Sequence, residues 1–169
     1  MESIELQKRI ESRFPGSAWQ PQESSGVGTL VAERSAIVEV LRFLRDDPDL
    51  AFDFLMDLFG VDYLEMEATE RFAVIYQLYS MKHGHRLRVK AFIPETSPAI
   101  DSVAEIYPAA NWAERETYDQ YGIRFNGHPD LRRILNPDDF TGHPLRKDFP
   151  VEGIGYRDQF EKITRTRAQ

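Results

Sequence analysis

Cysteine is absent from all 169 residues. That excludes a disulfide framework, a thiolate zinc site and a cysteine-ligated iron–sulfur cluster, so the chain carries no electrons through a cluster of its own. A cysteine nucleophile is excluded too. The compartment stays open, because a lack of cysteine fits a reducing cytosol without proving it. No N-terminal apolar run resembles a signal peptide, and no stretch approaches the roughly 20 apolar residues that span a bilayer. The expectation is a soluble or peripherally attached protein. The phosphate-binding P-loop and the Gly-x-Ser-x-Gly elbow are missing. Gly26-x-Gly28 lacks a third glycine and follows a polar loop, so it is no dinucleotide fingerprint. Internal repeats and low-complexity tracts are also lacking.

What is present suits one domain of ordinary size, with 41% hydrophobic residues to fill its core. The net charge of −7 is unevenly spread. Residues 124–169 hold nine Lys/Arg against seven Asp/Glu, and residues 1–123 hold twelve against twenty-one. An acidic body disfavours nucleic acid, whose affinity rests on neutralising phosphates. The mildly basic tail suits an acidic protein partner.

Along the chain, Ile4 to Arg13 has helical spacing and stops at Pro15-Gly16. Residues 20–28 read as a polar loop and Thr29 to Glu33 as a short strand. Ser35 is the expected N-cap of a helix whose buried stripe is Ile37, Val40, Leu41 and Leu44, ended by Asp46-Asp47-Pro48. Phe52 to Leu64 reads as a strand broken near Gly60. Residues 71–81 are rich in strand formers. Residues 86–94 alternate strictly, with Leu87, Val89, Ala91 and Ile93 on one face and Arg86, Arg88 and Lys90 on the other. Lys82 to His85 joins these two strands as a hairpin. A brief helix is expected over 102–107, and a second over 112–122, capped by Asn111 and ended by Gly122. Prolines 129, 137, 144 and 150 then recur too often for a long helix or a central strand. The predicted architecture is α/β of the α+β type. A small, mostly antiparallel sheet with flanking helices forms a body over 1–125, and an extended tail covers 126–169.

Two chemical readings compete. His83, His85, His128 and His143 invite a metal-dependent hydrolase, for which zinc wants three or four converging ligands. Against it, His83 and His85 read as polar residues on a hairpin tip, and His128 and His143 as imidazoles bonded to backbone. Glu116 and Asp119 lie one helical turn apart, with Arg115 four residues before Asp119. With Arg115, Arg124, Arg132, Arg133 and Arg146 close by, ion pairing is preferred over acid–base catalysis. Nothing in the chain reads as an assembled active site.

From Glu114 to Pro150 the chain crowds histidines, arginines and aromatic rings into a stretch with almost no hydrophobic periodicity. Such a segment satisfies its backbone groups on water or on another chain. Glu114-Arg115-Glu116-Thr117-Tyr118-Asp119, Tyr121-Gly122-Ile123-x-Phe125-x-Gly127-His128-Pro129-Asp130-Leu131-Arg132-Arg133-Ile134-Leu135 and Gly142-His143-Pro144-Leu145-Arg146-Lys147-Asp148-Phe149-Pro150 resemble the signature of a known family. It is the C subunit of NADH-quinone oxidoreductase, the bacterial counterpart of the 30 kDa subunit of respiratory complex I. Gln120 and Asn136 depart from it, standing where the family usually has apolar residues.

The resemblance implies a non-catalytic peripheral-arm subunit of a hetero-oligomer, on the cytoplasmic side of the bacterial inner membrane and not inserted in it. FMN and iron–sulfur clusters would sit in other subunits, and no metal, cofactor or catalytic residue belongs to this chain. The tail would dock on the D subunit, expected as a separate polypeptide because the chain stops at Gln169, with B and other peripheral-arm subunits nearby. Related subunits of membrane-bound hydrogenases and plastid-type complexes keep parts of the same signature. By residue type, Tyr118, Tyr121, Phe125, His128, Arg132, Arg133, Phe140, His143, Arg146, Lys147 and Phe149 are the expected partner-binding residues.

Overall fold

The computed structural model describes residues 3–20 and 27–154. Helix α1 (Ser3–Arg13) is followed by strands β1 (Ala18–Gln20) and β2 (Gly28–Ala32). A single 3-10 turn (Arg34–Ala36) leads into helix α2 (Ile37–Asp46). Strands β3 (Phe54–Asp62), β4 (Phe72–Ser80) and β5 (His85–Ile93) come next. Strand β6 (Ala99–Asp101), helix α3 (Ala110–Tyr121) and strand β7 (Arg124–Asn126) complete the body.

The main sheet has the order β1-β2-β5-β4-β3, and only the β2–β5 pair is parallel. The mixed, mostly antiparallel α/β architecture is thus as the sequence indicates. Strict alternation places Leu87, Val89, Ala91 and Ile93 of β5 beside Phe72, Val74, Tyr76 and Leu78 of β4. These join Leu30, Leu58 and the α2 stripe Ile37, Val40, Leu41 and Leu44 in one core. Buried residues of the opposite face, Ala73 and Ile75, do not belong to that core, so the helices pack on a single face.

Several local expectations are corrected. Ser35 caps nothing, because the turn closes through its own backbone (Ala36 N–H to Glu33 C=O, 3.0 Å) and α2 begins without a side-chain cap. Strand β3 runs unbroken through Gly60, and its irregularity is a bulge between Leu55 and Asp57. Residues 102–107 form turns rather than a helix, with Ile106 and Tyr107 N–H both donating to Val103 C=O. Asn111 lies inside α3, which starts at Ala110 with no side-chain cap. Strands β1, β6 and β7 were too short to leave a period-2 signal, and most of the polar loop expected over 20–28 lies outside the described residues.

Gly60 serves packing rather than a break. A Cβ there would stand 2.7 Å from the Tyr121 ring and 3.0 Å from Thr117 Cγ2, so α3 rests directly on the β3 backbone. Gly60→Val is expected to force α3 outward and to lower unfolding free energy by about 1–3 kcal/mol. Urea denaturation measures this, and an unchanged midpoint would mean that α3 yields without strain.

Candidate functional site: a tail folded onto the end of helix α3

Helix α3 ends at Gly122, whose left-handed backbone (φ 73°) suits a residue without a Cβ. Its last four carbonyls are all bonded, and three of them rely on the tail. Tyr118 C=O accepts from Gly122 N–H (2.8 Å). Asp119 C=O accepts from His143 Nδ1 (2.9 Å), Gln120 C=O from Leu145 N–H (3.1 Å) and Tyr121 C=O from Arg146 Nε (2.7 Å). The cationic Arg146 also suits the negative end of the helix dipole. A Cβ on Gly122 would meet His143 Nε2 at 2.5 Å and Arg146 Nη2 at 2.7 Å, so this glycine also makes room for the tail.

The side chain of Asp119 is fully buried beneath that cap. Its Oδ2 accepts three successive backbone N–H groups, from Ile134 (3.1 Å), Leu135 (2.8 Å) and Asn136 (2.8 Å). Its Oδ1 accepts from Arg133 Nη1 (2.6 Å) and Asn136 Nδ2 (2.9 Å). Successive N–H groups converging on one oxygen form an anion-binding nest, and here the anion belongs to the same chain. Burial alone would raise the Asp119 pKa, but the Asn136, Arg133 and Leu135 bonds prevail and hold it well below the usual carboxylate range.

A second clamp joins the sheet to the tail's far end. Arg71 forms a bidentate pair with buried Asp62 (3.1 and 3.0 Å) and reaches Asp148 (2.8 Å) and Glu95. Asp62 Oδ2 also accepts Lys147 N–H at 2.9 Å. Phe72 lies between two cations, Arg71 at 4.8 Å and Arg146 at 5.0 Å from its ring centre.

At the other end of α3, Glu114 is a buried carboxylate without an arginine. It accepts from Ser102 Oγ (2.5 Å) and Val103 N–H (2.7 Å), and His128 Nε2 stands 3.9 Å away. Desolvation raises its pKa to about 7, against the lowering effect of those two bonds. His128 accepts Asp130 N–H at Nδ1 (3.0 Å), so Nε2 carries the proton that goes to Asn111 C=O (3.0 Å).

The expected site residues divide into two groups. Phe125 is buried in the core, and the His128 side chain is likewise enclosed. Arg133, His143 and Arg146 find the carboxylate and carbonyl partners expected of them, but on this chain's own α3. Lys147 Nζ donates to Leu64 C=O (3.1 Å) from an exposed position, and Phe140 stacks on Phe149 at 5.9 Å. Tyr118 and Tyr121 are half-buried, whereas Arg132 is exposed beside Asp130. The Arg115–Asp119 helix pair is not formed, since Arg115 donates to Arg132 and Arg133 carbonyls instead. Arg133 thus pairs with Asp119, Arg132 with Asp130, and Arg146 with the Tyr121 carbonyl.

His83 and His85 stack at 5.4 Å on the hairpin, away from His128 and His143, which lie along α3. The four-histidine metal reading therefore fails. Among the described residues no group of three or more His, Cys, Asp or Glu could hold a metal ion. Sequence reasoning gave no role to Asp62 and Arg71, which carried only generic charge, and none to Asn136 and Asp148 beyond their place in the signature. It also missed exposed Trp112, Leu135 and Leu145.

Fold and site define a class: a two-layer α/β body whose described chain after β7 folds onto its last helix without further strands. Residues 30–154 match the family described as respiratory-chain NADH dehydrogenase, 30 Kd subunit, and the chain belongs to that family. The C subunit of NADH-quinone oxidoreductase from Hyphomonas neptunium is 50% identical over 149 residues, 88% of this chain and 72% of that one. Across such relatives the chain spans between 56% and 89% of their length. The solved trypsin-resistant fragment (1-134) of Nqo5 superposes with a TM-score of 0.68 at 32% identity, covering 78% of this chain and 100% of the fragment. A chain of the archaeal membrane-bound sulfane sulfur reductase shares the fold at 22% identity, with a TM-score of 0.75 and coverage of 100% and 97%.

Two outcomes are expected. Asp119→Ala removes the carboxylate from Arg133, which keeps only carbonyl partners, leaves three amides unpaired and costs about 3 kcal/mol; hydrogen exchange should show the Ile134, Leu135 and Asn136 amides exchanging as fast as open loop. Because the Asp119 pKa is depressed in the fold, its contribution is present above the ordinary carboxylate range and lost as pH falls through the depressed value. Glu114 has the opposite sign. Its raised pKa makes stability fall as pH climbs from the ordinary value of 4.5 to about 7, and Glu114→Gln should flatten that slope in a pH series of urea melts.

Proposed function

We propose that the chain is a non-catalytic peripheral-arm subunit of a proton-pumping NADH-quinone oxidoreductase. That enzyme passes electrons from NADH through FMN and iron–sulfur clusters in other subunits to quinone. In this reading the chain supports assembly, docks its tail on the D subunit near the quinone site, and sits on the cytoplasmic side of the inner membrane beside B and other peripheral-arm subunits. Membership of the 30 Kd subunit family and the names of its relatives support this. Among the described residues no helix is long and apolar enough to cross a membrane, as a peripheral place requires.

One observation carries the docking role. The tail's polar groups turn inward while apolar ones are pinned facing out: Leu135 is 63% and Leu145 is 52% exposed, and their own N–H groups are fixed to Asp119 and Gln120. Trp112, 63% exposed, sits on the same helix with Arg115 over its ring. Exposed apolar side chains held on a fixed frame are what a protein interface uses. Arg132, Lys147, Tyr118 and Tyr121 supply its polar rim, with Phe140 and Phe149 stacked farther along. A role in a hydrogenase-type or plastid-type complex is the alternative. The sulfane sulfur reductase likeness bears on fold alone, and the family match favours the respiratory enzyme.

The test is co-purification of the D subunit with the full chain from native membranes. Leu135→Asp with Leu145→Asp should cut recovery at least tenfold while changing unfolding free energy by only about 0.5 kcal/mol, as surface changes do. Undiminished recovery would count against docking through this strip.

A further inference from the structure

The helices cover one face of the five-stranded sheet, and no described element covers the other. Register fixes what that face presents. Strand β5 contributes Arg86, Arg88 and Lys90; β4 contributes Ala73, Ile75 and Gln77; β3 contributes Phe54, Asp57, Phe59, Val61 and, just past its end, Tyr63. Its middle sinks into a shallow depression of about 280 Å³, walled by Thr29, Phe59, Val61, Ile75, Arg88 and Lys90. Phe54 at its margin is 50% exposed.

The charges on this face are one-sided. Three cations lie on β5, and the one acid that β3 sets on this face, Asp57, is engaged by its neighbour's N–H, Leu58 (2.9 Å). Arg88 Nε is buried and has no hydrogen-bond partner among the described residues. Lys90 Nζ rests over the Tyr63 and Phe92 rings at 5.7 and 5.6 Å, with no described carboxylate bonded to it. A buried guanidinium donor without an acceptor is unfavourable in the free chain, and a carboxylate brought by a partner relieves it. The aromatic and branched side chains around these cations need apolar contact, which a lone anion does not supply. Nucleic acid fits poorly, because the chain as a whole carries −7.

We propose that this sheet face is a second docking surface, distinct from the tail strip, and that it receives an acidic segment of another protein. That segment sets carboxylates against Arg88 and Lys90 and apolar side chains against Phe59 and Val61. The inference rests on the reading of the chain as a subunit of a larger assembly. It assigns this subunit two contact surfaces, one on the open sheet face and one built on α3, so that it bridges two neighbours.

The absence of cysteine gives a clean test. Gln77→Cys places a single thiol in the middle of the face. Its maleimide labelling rate is measured in the free chain and in the complex purified through another subunit, and Lys90 is probed by carbodiimide coupling and mass spectrometry. Expected are a labelling rate at least tenfold lower in the complex and Lys90 joined to an Asp or Glu of another chain. Arg88→Glu with Lys90→Glu should abolish the protection. Equal labelling in both states overturns this proposal and leaves tail docking standing. Protection without coupling of Lys90 to another chain's carboxylate overturns the acidic partner. Failure of the wild-type chain to co-purify overturns the reading as part of an assembly, and this inference with it.

Discussion

A single buried carboxylate organises the chain that follows helix α3. Asp119 sits in the last turn of α3, where a negative charge opposes the helix dipole and burial opposes it further. Five donors offset both costs, and all of them lie in the four residues Arg133 to Asn136. An isolated buried carboxylate of this kind would take up a proton, whereas the nest keeps it ionised. The chain between Phe125 and Pro150 therefore has a defined path although no described helix or strand runs through it beyond β7.

The energetics of body and tail differ in kind. The body rests on apolar burial, with Phe52, Phe72 and several Leu and Ile fully enclosed, each worth about 1.5–3 kcal/mol. The tail encloses almost none, since Leu135, Leu145, Val151 and Ile154 are all at least half exposed. Hydrogen bonds to charged groups, about 1.5–3 kcal/mol each, must hold it instead. Such a segment is stable only while its network is complete, and it opens as a unit when one member goes. The arrangement lets the polar groups of the signature act inward as a frame while the apolar ones face outward as a surface.

Much of the architecture was legible in the sequence because it rests on periodicity. The alternation of residues 86–94, the α2 stripe and Gly122 after α3 all translate directly into structure. Gly60 was misread because a glycine in a strand signals a break and a close approach equally well, and only the helix above it decides. The nest around Asp119 was invisible for a different reason. Asp119, Arg133 and Asn136 were each seen, but the pattern of a nest lies in backbone direction, which side-chain identity does not encode. Asn136, a departure from the family's usual apolar residue, proves to be a double donor to Asp119. The inward turn of the arginines likewise follows from α3's unsatisfied carbonyls rather than from arginine's general affinity for partners.

In the proposed docking, the Asp119 nest holds the strip in place without touching the partner. If so, Asp119 acts on binding only through the population of the closed tail, and apparent affinity falls in proportion to that population. The direct measurement is calorimetric titration of the D subunit into the full chain carrying Asp119→Asn, beside wild type, at neutral pH. Binding is expected to be at least tenfold weaker with a larger entropic cost, because the partner must then order the tail itself. Equal affinity and equal heat for the two chains would contradict it.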